Sequence, residues 1–108
     1  MLITEFLKTP ETQTVNIGSD ATFECQFPSA LSIGWLFGGV GVNQIRESAM
    51  DFTQDNYRES DSGLLVYTLT VLARPEYNGT AIVCAAASFT QPPQNSTPAI
   101  LIIEGLLI

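Results

Sequence analysis

The sequence predicts an all-β fold in which two antiparallel sheets pack face to face as a sandwich. Short apolar runs alternate along the chain with clusters of Gly, Pro, Asn, Ser and Asp, and strong helix signals are absent. The 108 residues suffice for one domain with one core, because a seven-stranded sandwich needs about 100 residues. Since 45% of the residues are hydrophobic, a packed core is favoured over disorder. We therefore expect residues 1–108 to form a single domain.

The apolar runs place the strands in chain order. Alternation is cleanest in residues 21–27, where Ala21, Phe23, Cys25 and Phe27 share one face and polar residues share the other. The segment 43–62 is polar, and we expect only short edge strands and loops there. The predicted strands are residues 3–7, 12–17, 21–27, 32–37, 64–72, 80–87 and 99–103, with turns or loops at 18–20, 28–31, 38–42, 75–79 and 88–96.

The only two cysteines, Cys25 and Cys84, each end an alternating apolar run. The only tryptophan, Trp35, follows ten residues after the first cysteine. The cysteines could form a disulfide, remain free thiols or bind a metal. A metal is disfavoured because the chain has no histidine and two thiolates are too few for a structural zinc site. A bridge between strands so far apart in sequence would suit an oxidising compartment.

The spacing of Cys25, Trp35 and Cys84 resembles that of the immunoglobulin superfamily, and the resemblance spans nearly the whole chain. Residues 69–71 and 78–84 resemble the family's approach to its second cysteine, and residues 97–103 resemble the last strand of adhesion-type domains. The resemblance implies an immunoglobulin-like sandwich of intermediate or shortened variable type. It also implies one inter-sheet disulfide, Cys25–Cys84, with Trp35 packed on it in the core.

The corner before Cys84 departs from the family pattern. Members usually carry an acid six residues before the second cysteine and a tyrosine two residues before it, whereas this chain has Asn78 and Ile82. The tyrosine corner and the usual salt bridge from an arginine to that acid are therefore not expected here. Another group must replace the hydrogen bond of the missing tyrosine.

The resemblance implies a cell-adhesion or recognition module that binds protein partners, including a second copy of itself. In many members the contact is made by the outer face of the sheet that carries Trp35 and Cys84. Alternation places five apolar residues on that face: Leu36, Val83, Ala85, Ile100 and Ile102. Phe89, on a loop stiffened by Pro92 and Pro93, could contact a partner or equally cap the core. Crossing side chains, a neighbouring module or a register slip could also hide the face.

Two segments, Asn78-Gly79-Thr80 and Asn95-Ser96-Thr97, match the pattern of N-glycosylation acceptors. Chance matching and turn chemistry are the alternative explanations, and Pro98 can lower the use of the second site. We expect a glycoprotein that is extracellular or at the cell surface. A non-binding spacer domain is the alternative function, and an intracellular muscle-type domain would carry reduced cysteines and no glycans. Residues 104–108 resemble the start of a linker to a following module of a larger protein.

Composition disfavours several other function classes. The net charge is −7, and the four basic residues are too scattered to follow a phosphate backbone or an anionic membrane. The absence of histidine, paired carboxylates on a shared face and a phosphate loop disfavours an enzyme, and no cofactor or metal is expected. The acids Asp51, Asp55, Glu59 and Asp61 lack calcium-loop spacing and predict a solvated edge. The apolar stretch 99–108 is interrupted by Glu104 and Gly105 and cannot span a bilayer.

Overall fold

The computed structural model describes residues 7–27, 32–44, 49–59, 61, 64–87 and 94–105. These residues form two β-sheets packed face to face, which confirms the predicted all-β sandwich. The strands are β1 (Gln13–Asn16), β2 (Asp20–Phe27), β3 (Ser32–Phe37), β4 (Val40–Gly41), β5 (Phe52–Arg58), β6 (Leu65–Leu72), β7 (Thr80–Ala87), β8 (Gln94–Asn95) and β9 (Ala99–Glu104). Short 3₁₀ turns lie in the connections at η1 (Val42–Gln44), η2 (Ala49–Asp51) and η3 (Pro75–Tyr77). Within this described part of the chain, no helix is long and apolar enough to cross a membrane.

The two sheets differ in size. The front sheet has the strand order β1-β9-β7-β3-β4, with β8 paired to the far end of β7. The back sheet has the order β2-β6-β5. The chain crosses between the sheets near the buried Pro10, because Lys8 bridges to Gln26 of β2 whereas β1 joins β9. Since β1 arrives by this crossing and not by a hairpin, it runs parallel to β9, while the other described strand pairs are antiparallel.

The core lies between the sheets around the disulfide. Cys25 of β2 and Cys84 of β7 are bonded across the sandwich, with their Cα atoms 6.6 Å apart, and both are fully buried. Trp35 stands directly opposite Cys84 in the β3–β7 register and is only 3% exposed. The disulfide and the buried tryptophan expected from the family resemblance are therefore present. In the back sheet, Phe23 pairs with Leu69 on the same inward face.

Three connections show how local chemistry shapes the sheets. Gly38 and Gly39, with φ of 60° and 88°, form the two-residue turn between β3 and β4, a turn that requires positive φ. β5 is a seven-residue edge strand, longer than the short edge strands expected for its polar sequence. β8 lies inside a segment that was expected to be only loop, because two ladder pairs with β7 make it a strand.

Candidate recognition face and the contacts that shape it

The outer face of the front sheet brings together five of the six predicted contact residues. Leu36 pairs with Val83 across β3 and β7, and Ala81 pairs with Ile100 across β7 and β9. These residues point outward because their chain neighbours are buried in the core. Leu36, Val83, Ala85 and Ile100 are half-buried, and Ile102 is 38% exposed. Phe89, the sixth predicted contact, lies outside the described residues.

Charge separates the two outer faces. On the described strands of the front sheet the outward positions carry a single charged side chain, Glu104, at the end of β9 opposite Asn16. The outward row of β2 in the back sheet is Asp20, Thr22, Glu24 and Gln26. Polar residues continue across that sheet on its two other strands: Thr53, Asp55, Thr68 and Thr70. Val66, Leu72 and the exposed Tyr57 also lie on that outer face, but it carries three acids, Asp20, Glu24 and Asp55, where the described strands of the front sheet carry one.

A β-bulge interrupts the β7 ladder between β8 and β9. Ile82 pairs with Ala99 and Ala85 pairs with Asn95, so two residues on β7 oppose three on the other side. Ser96 fills the break: its N–H donates to the carbonyl of Cys84 at 2.9 Å, and its Oγ accepts from the N–H of Cys84 at 3.0 Å. The serine hydroxyl thus takes the place of a backbone acceptor beside the disulfide.

The bulge turns Asn95 onto the outer face of the front sheet. We call this surface, which includes Leu36, Val83, Ala85, Ile100 and Ile102, the recognition face. In an unbroken strand Asn95 would share the inward phase of Ala99 and Leu101, because it lies an even number of residues away. One extra residue reverses this phase, so Asn95 is exposed and stands opposite the outward residue Ala85. The second glycosylation motif therefore lies on the face expected to bind a partner.

The first glycosylation motif supports the corner before β7. The β7–β9 ladder ends where the N–H of Gly79 donates to Leu101 at 2.7 Å. Beyond it, the Oδ1 of Asn78 accepts from the N–H of Ile103 at 2.8 Å and so extends the ladder by one bond. The hydroxyl of Thr80 donates to the carbonyl of Tyr77 at 2.7 Å. These side-chain bonds hold the corner in which the family's tyrosine is missing.

Replacing Asn78 by Ala should lower the free energy of unfolding by about 1 kcal/mol, because the Ile103 N–H loses its acceptor. Asn78→Asp should restore most of the loss, since a carboxylate oxygen can accept the same bond. Both variants lack the asparagine that could carry a glycan, so glycosylation cannot explain a difference in stability between them. Urea unfolding of bacterially made protein measures the effect, and equal stability of Asn78→Ala and wild type would contradict it.

An ion pair between the buried Asp51 and the exposed Arg74 lies at one end of the core. Asp51, at the end of η2, is 6% exposed and accepts hydrogen bonds through Oδ2 from Arg74 Nε at 2.7 Å and Tyr77 Oη at 2.6 Å. The Arg74 hydrogen bond, followed by that of Tyr77, lowers the pKa of Asp51 although burial opposes this. The same bond raises the pKa of the Arg74 guanidinium. The rings of Phe37, Phe52 and Tyr77 pack beneath this pair, with centroids 4.9 to 5.9 Å apart.

The Asp51–Arg74 pair bears on two predictions, the solvated acidic edge and the missing salt bridge between an arginine and an acid. The prediction that Asp51 lies on a solvated acidic edge is wrong, because the residue turns inward to meet Arg74 and Tyr77, whereas Asp55 and Asp61 are exposed. An arginine–acid bridge is present, but its arginine lies on the connection that leads to Cys84 and its acid precedes β5. In the described residues, no three His, Cys, Asp or Glu side chains form a metal-binding group.

The two-sheet topology, the buried disulfide and the tryptophan opposite it together form an immunoglobulin-like fold. Neither protein-family models nor curated protein sequences gave a match. Among solved structures, the chain is similar to Rst D1-D2 (TM-score 0.72, 19% identity, covering 93% of this chain and 48% of that one). It is also similar to the N-terminal eight Ig domains of Down Syndrome Cell Adhesion Molecule (TM-score 0.71, 18% identity, covering 96% and 13%).

A third similar structure is the complex of Dpr2 Ig1-Ig2 with DIP-Theta Ig1-Ig3 (TM-score 0.64, 14% identity, covering 87% of this chain and 30% of that one). The chain spans about half the length of the Rst structure and less of the other two. At such identities the likeness shows the fold alone.

Proposed function

We propose that this chain is an extracellular recognition domain that binds a protein partner through the outer face of its front sheet. The observation that carries the proposal is the contrast in charge between the two outer faces: the described strands of the front sheet carry one acid, Glu104 at the margin, whereas the back sheet carries Asp20, Glu24 and Asp55 among its outward residues. Exposed apolar patches on a protein of this size usually mark an interaction site. The apolar residues of this face stand on neighbouring paired strands, so a partner could bury them without rearranging the sheet.

A second copy of the chain is the partner that the charge distribution favours first. With a net charge of −7, two copies repel one another over most of their surfaces. The outer face of the front sheet is where that repulsion is least, because its described strands carry a single acid at one end. Closed two-fold dimers bring the same patch of both copies together, so this face would pack on itself.

The fold neighbours and the covalent features support an extracellular, non-enzymatic role. One neighbour is named a cell adhesion molecule, and another was crystallised as a complex of Ig-domain proteins. A buried disulfide and two glycosylation motifs fit an oxidising, secretory compartment. We propose in addition that residues 104–108 lead into a following module.

The test places an arginine on each outer face of protein prepared without glycans. Leu36→Arg and Val83→Arg put a charge at the centre of the apolar face and should weaken self-association at least tenfold, because burying an unpaired charge costs several kcal/mol. Thr68→Arg is the matched control, since Thr68 lies between Glu24 and Asp55 on the back sheet and can accept a positive charge there. Sedimentation over a range of concentrations measures the dimer.

The alternative function is a spacer domain that binds nothing itself. Two results together would favour the spacer: the wild-type protein stays monomeric at high concentration, and both front-sheet variants bind cells as well as the wild type does. Loss of association in Thr68→Arg as well would show that the front sheet is not the contact surface.

A further inference from the structure

The recognition face is flat and open at its β8 end. Ala85 pairs with Asn95 on one side and with Gly34 of β3 on the other. The residue next to Asn95 therefore has only a methyl side chain, and the one beyond it has no side chain. A Cβ placed on Gly34 would meet no atom within 4 Å, and its backbone does not require glycine. The packing of the described residues therefore gives no reason for the missing side chain at Gly34. A group lying on this surface from outside would give one.

We propose that an N-linked glycan on Asn95 lies over Ala85 and Gly34 and blocks association through the recognition face, an inference that rests on the proposed function. Asn95 is the exposed acceptor of the Asn95-Ser96-Thr97 motif, and the bulge at Ser96 aims it onto this face. A glycan is bulky and hydrophilic, so it would cover the apolar surface beside its attachment point. Pairing would then be confined to those copies of the domain that carry no glycan on Asn95.

The distances along the sheet place the glycan beside the centre of the face. Strand residues rise by about 3.4 Å, so the Leu36–Val83 pair lies about 7 Å along β7 from Ala85. The Ala81–Ile100 pair is about 14 Å away by the same measure. A second copy that covers Leu36 and Val83 would meet the first sugars. The exposed Ile102, still farther along, would remain accessible.

The modification is a group transfer onto the side-chain amide of Asn95. A bond forms between Nδ2 of Asn95 and C1 of the first sugar, and the bond from C1 to the diphosphate of a lipid-linked oligosaccharide donor breaks. The lipid diphosphate leaves, and one amide hydrogen departs as a proton. Thr97 supplies the hydroxyl that the acceptor motif needs. The hydrogen bond that Ser96 donates to Thr97 uses the backbone carbonyl of Thr97, so the side chain of Thr97 can be changed without removing a described bond of the bulge.

The test compares wild type, Thr97→Ala and Thr97→Ser, all produced in secreting eukaryotic cells. Chymotrypsin can cut after Phe89 and so separate Asn95 from Asn78. Mass analysis of the chymotryptic peptides should find a glycan on Asn95 in wild type and Thr97→Ser, and none in Thr97→Ala. Sedimentation should then show monomers for the first two proteins and a dimer for Thr97→Ala. Adding Leu36→Arg to Thr97→Ala should abolish that dimer.

The outcomes separate this inference from the proposed function. An unmodified Asn95 in wild type would overturn the inference. Equal association of glycosylated wild type and Thr97→Ala, with Leu36→Arg still disrupting both, would overturn it while leaving the proposed function intact. If Thr97→Ala and the bacterially made wild type are both monomeric at every concentration, the proposed pairing of two copies fails and this inference fails with it.

Discussion

Removing the disulfide, as Cys25→Ala together with Cys84→Ala, is expected to lower the free energy of unfolding by about 4 kcal/mol. The bridge closes a loop whose ends are 59 residues apart, and a cross-link over that length removes many conformations from the unfolded chain. Both sulfur atoms lie in the fully buried centre of the core beside Trp35, so their loss also removes packing. Guanidinium unfolding of the double variant and of the wild type measures the difference.

Reduced wild type is the control that separates the covalent bond from the packing. Reduced wild type keeps every side chain. Its free energy of unfolding should be close to that of the double variant if the cross-link dominates, and well above it if the packing of the sulfur atoms dominates. Reductant should leave the double variant unchanged. A wild type whose unfolding midpoint is the same with and without reductant would contradict the prediction.

Replacing Asp51 by Ala is expected to lower the free energy of unfolding by about 2 kcal/mol. The substitution removes a buried carboxylate that accepts hydrogen bonds from both Arg74 and Tyr77, and bonds to charged groups contribute about 1.5 to 3 kcal/mol. Asp51→Asn is the matched variant, because its amide oxygen can still accept from Tyr77 but carries no charge. Its stability should fall between those of wild type and Asp51→Ala.

The same carboxyl predicts a dependence on pH. The pKa of Asp51 in the folded protein lies below its ordinary value of 3.8, chiefly because Arg74 donates to it. As the pH falls, the unfolded chain therefore takes up this proton first, which favours unfolding. The stability advantage of wild type over Asp51→Asn should be complete above about pH 5 and should shrink as the pH falls below about 4. An advantage that stays constant down to pH 2 would contradict the role assigned to Asp51.

The strands that bury strongly alternating sequences were predicted closely. β3 and β7 have the predicted bounds, and β2 begins one residue earlier than expected. In these segments the apolar period of two residues is itself the cause of the structure, because only a strand can put all of those side chains in the core. β5 and β8 were missed or underestimated because their residues are mostly polar. Pairing with β6 and β7 makes them strands, and that pairing has no local signature.

Of the residues that shape the site, only those with a local signal in the sequence were predicted. Leu36 and Val83 were placed outward correctly, since each lies next to a residue with a strong reason to be buried. Tyr77, Ser96 and the Asp51–Arg74 pair were not foreseen. Pro98 was the available signal for the bulge, because a proline without an N–H interrupts a ladder just before the last strand. No signal of that kind joins Asp51 to Arg74, which lie 23 residues apart.

Alternation along the strands was enough to predict the sandwich, its buried centre at Cys25, Trp35 and Cys84, and the apolar character of one outer face, because it assigns each residue of a strand to a side. The direction of Asn95 could not be predicted in this way. Its direction depends on the register between β7 and β8, which the extra residue in the β8–β9 connection shifts by one relative to the β7–β9 register. A shift of one residue moves each side chain of β8 to the opposite face. That reversal brings a glycosylation motif onto the recognition face.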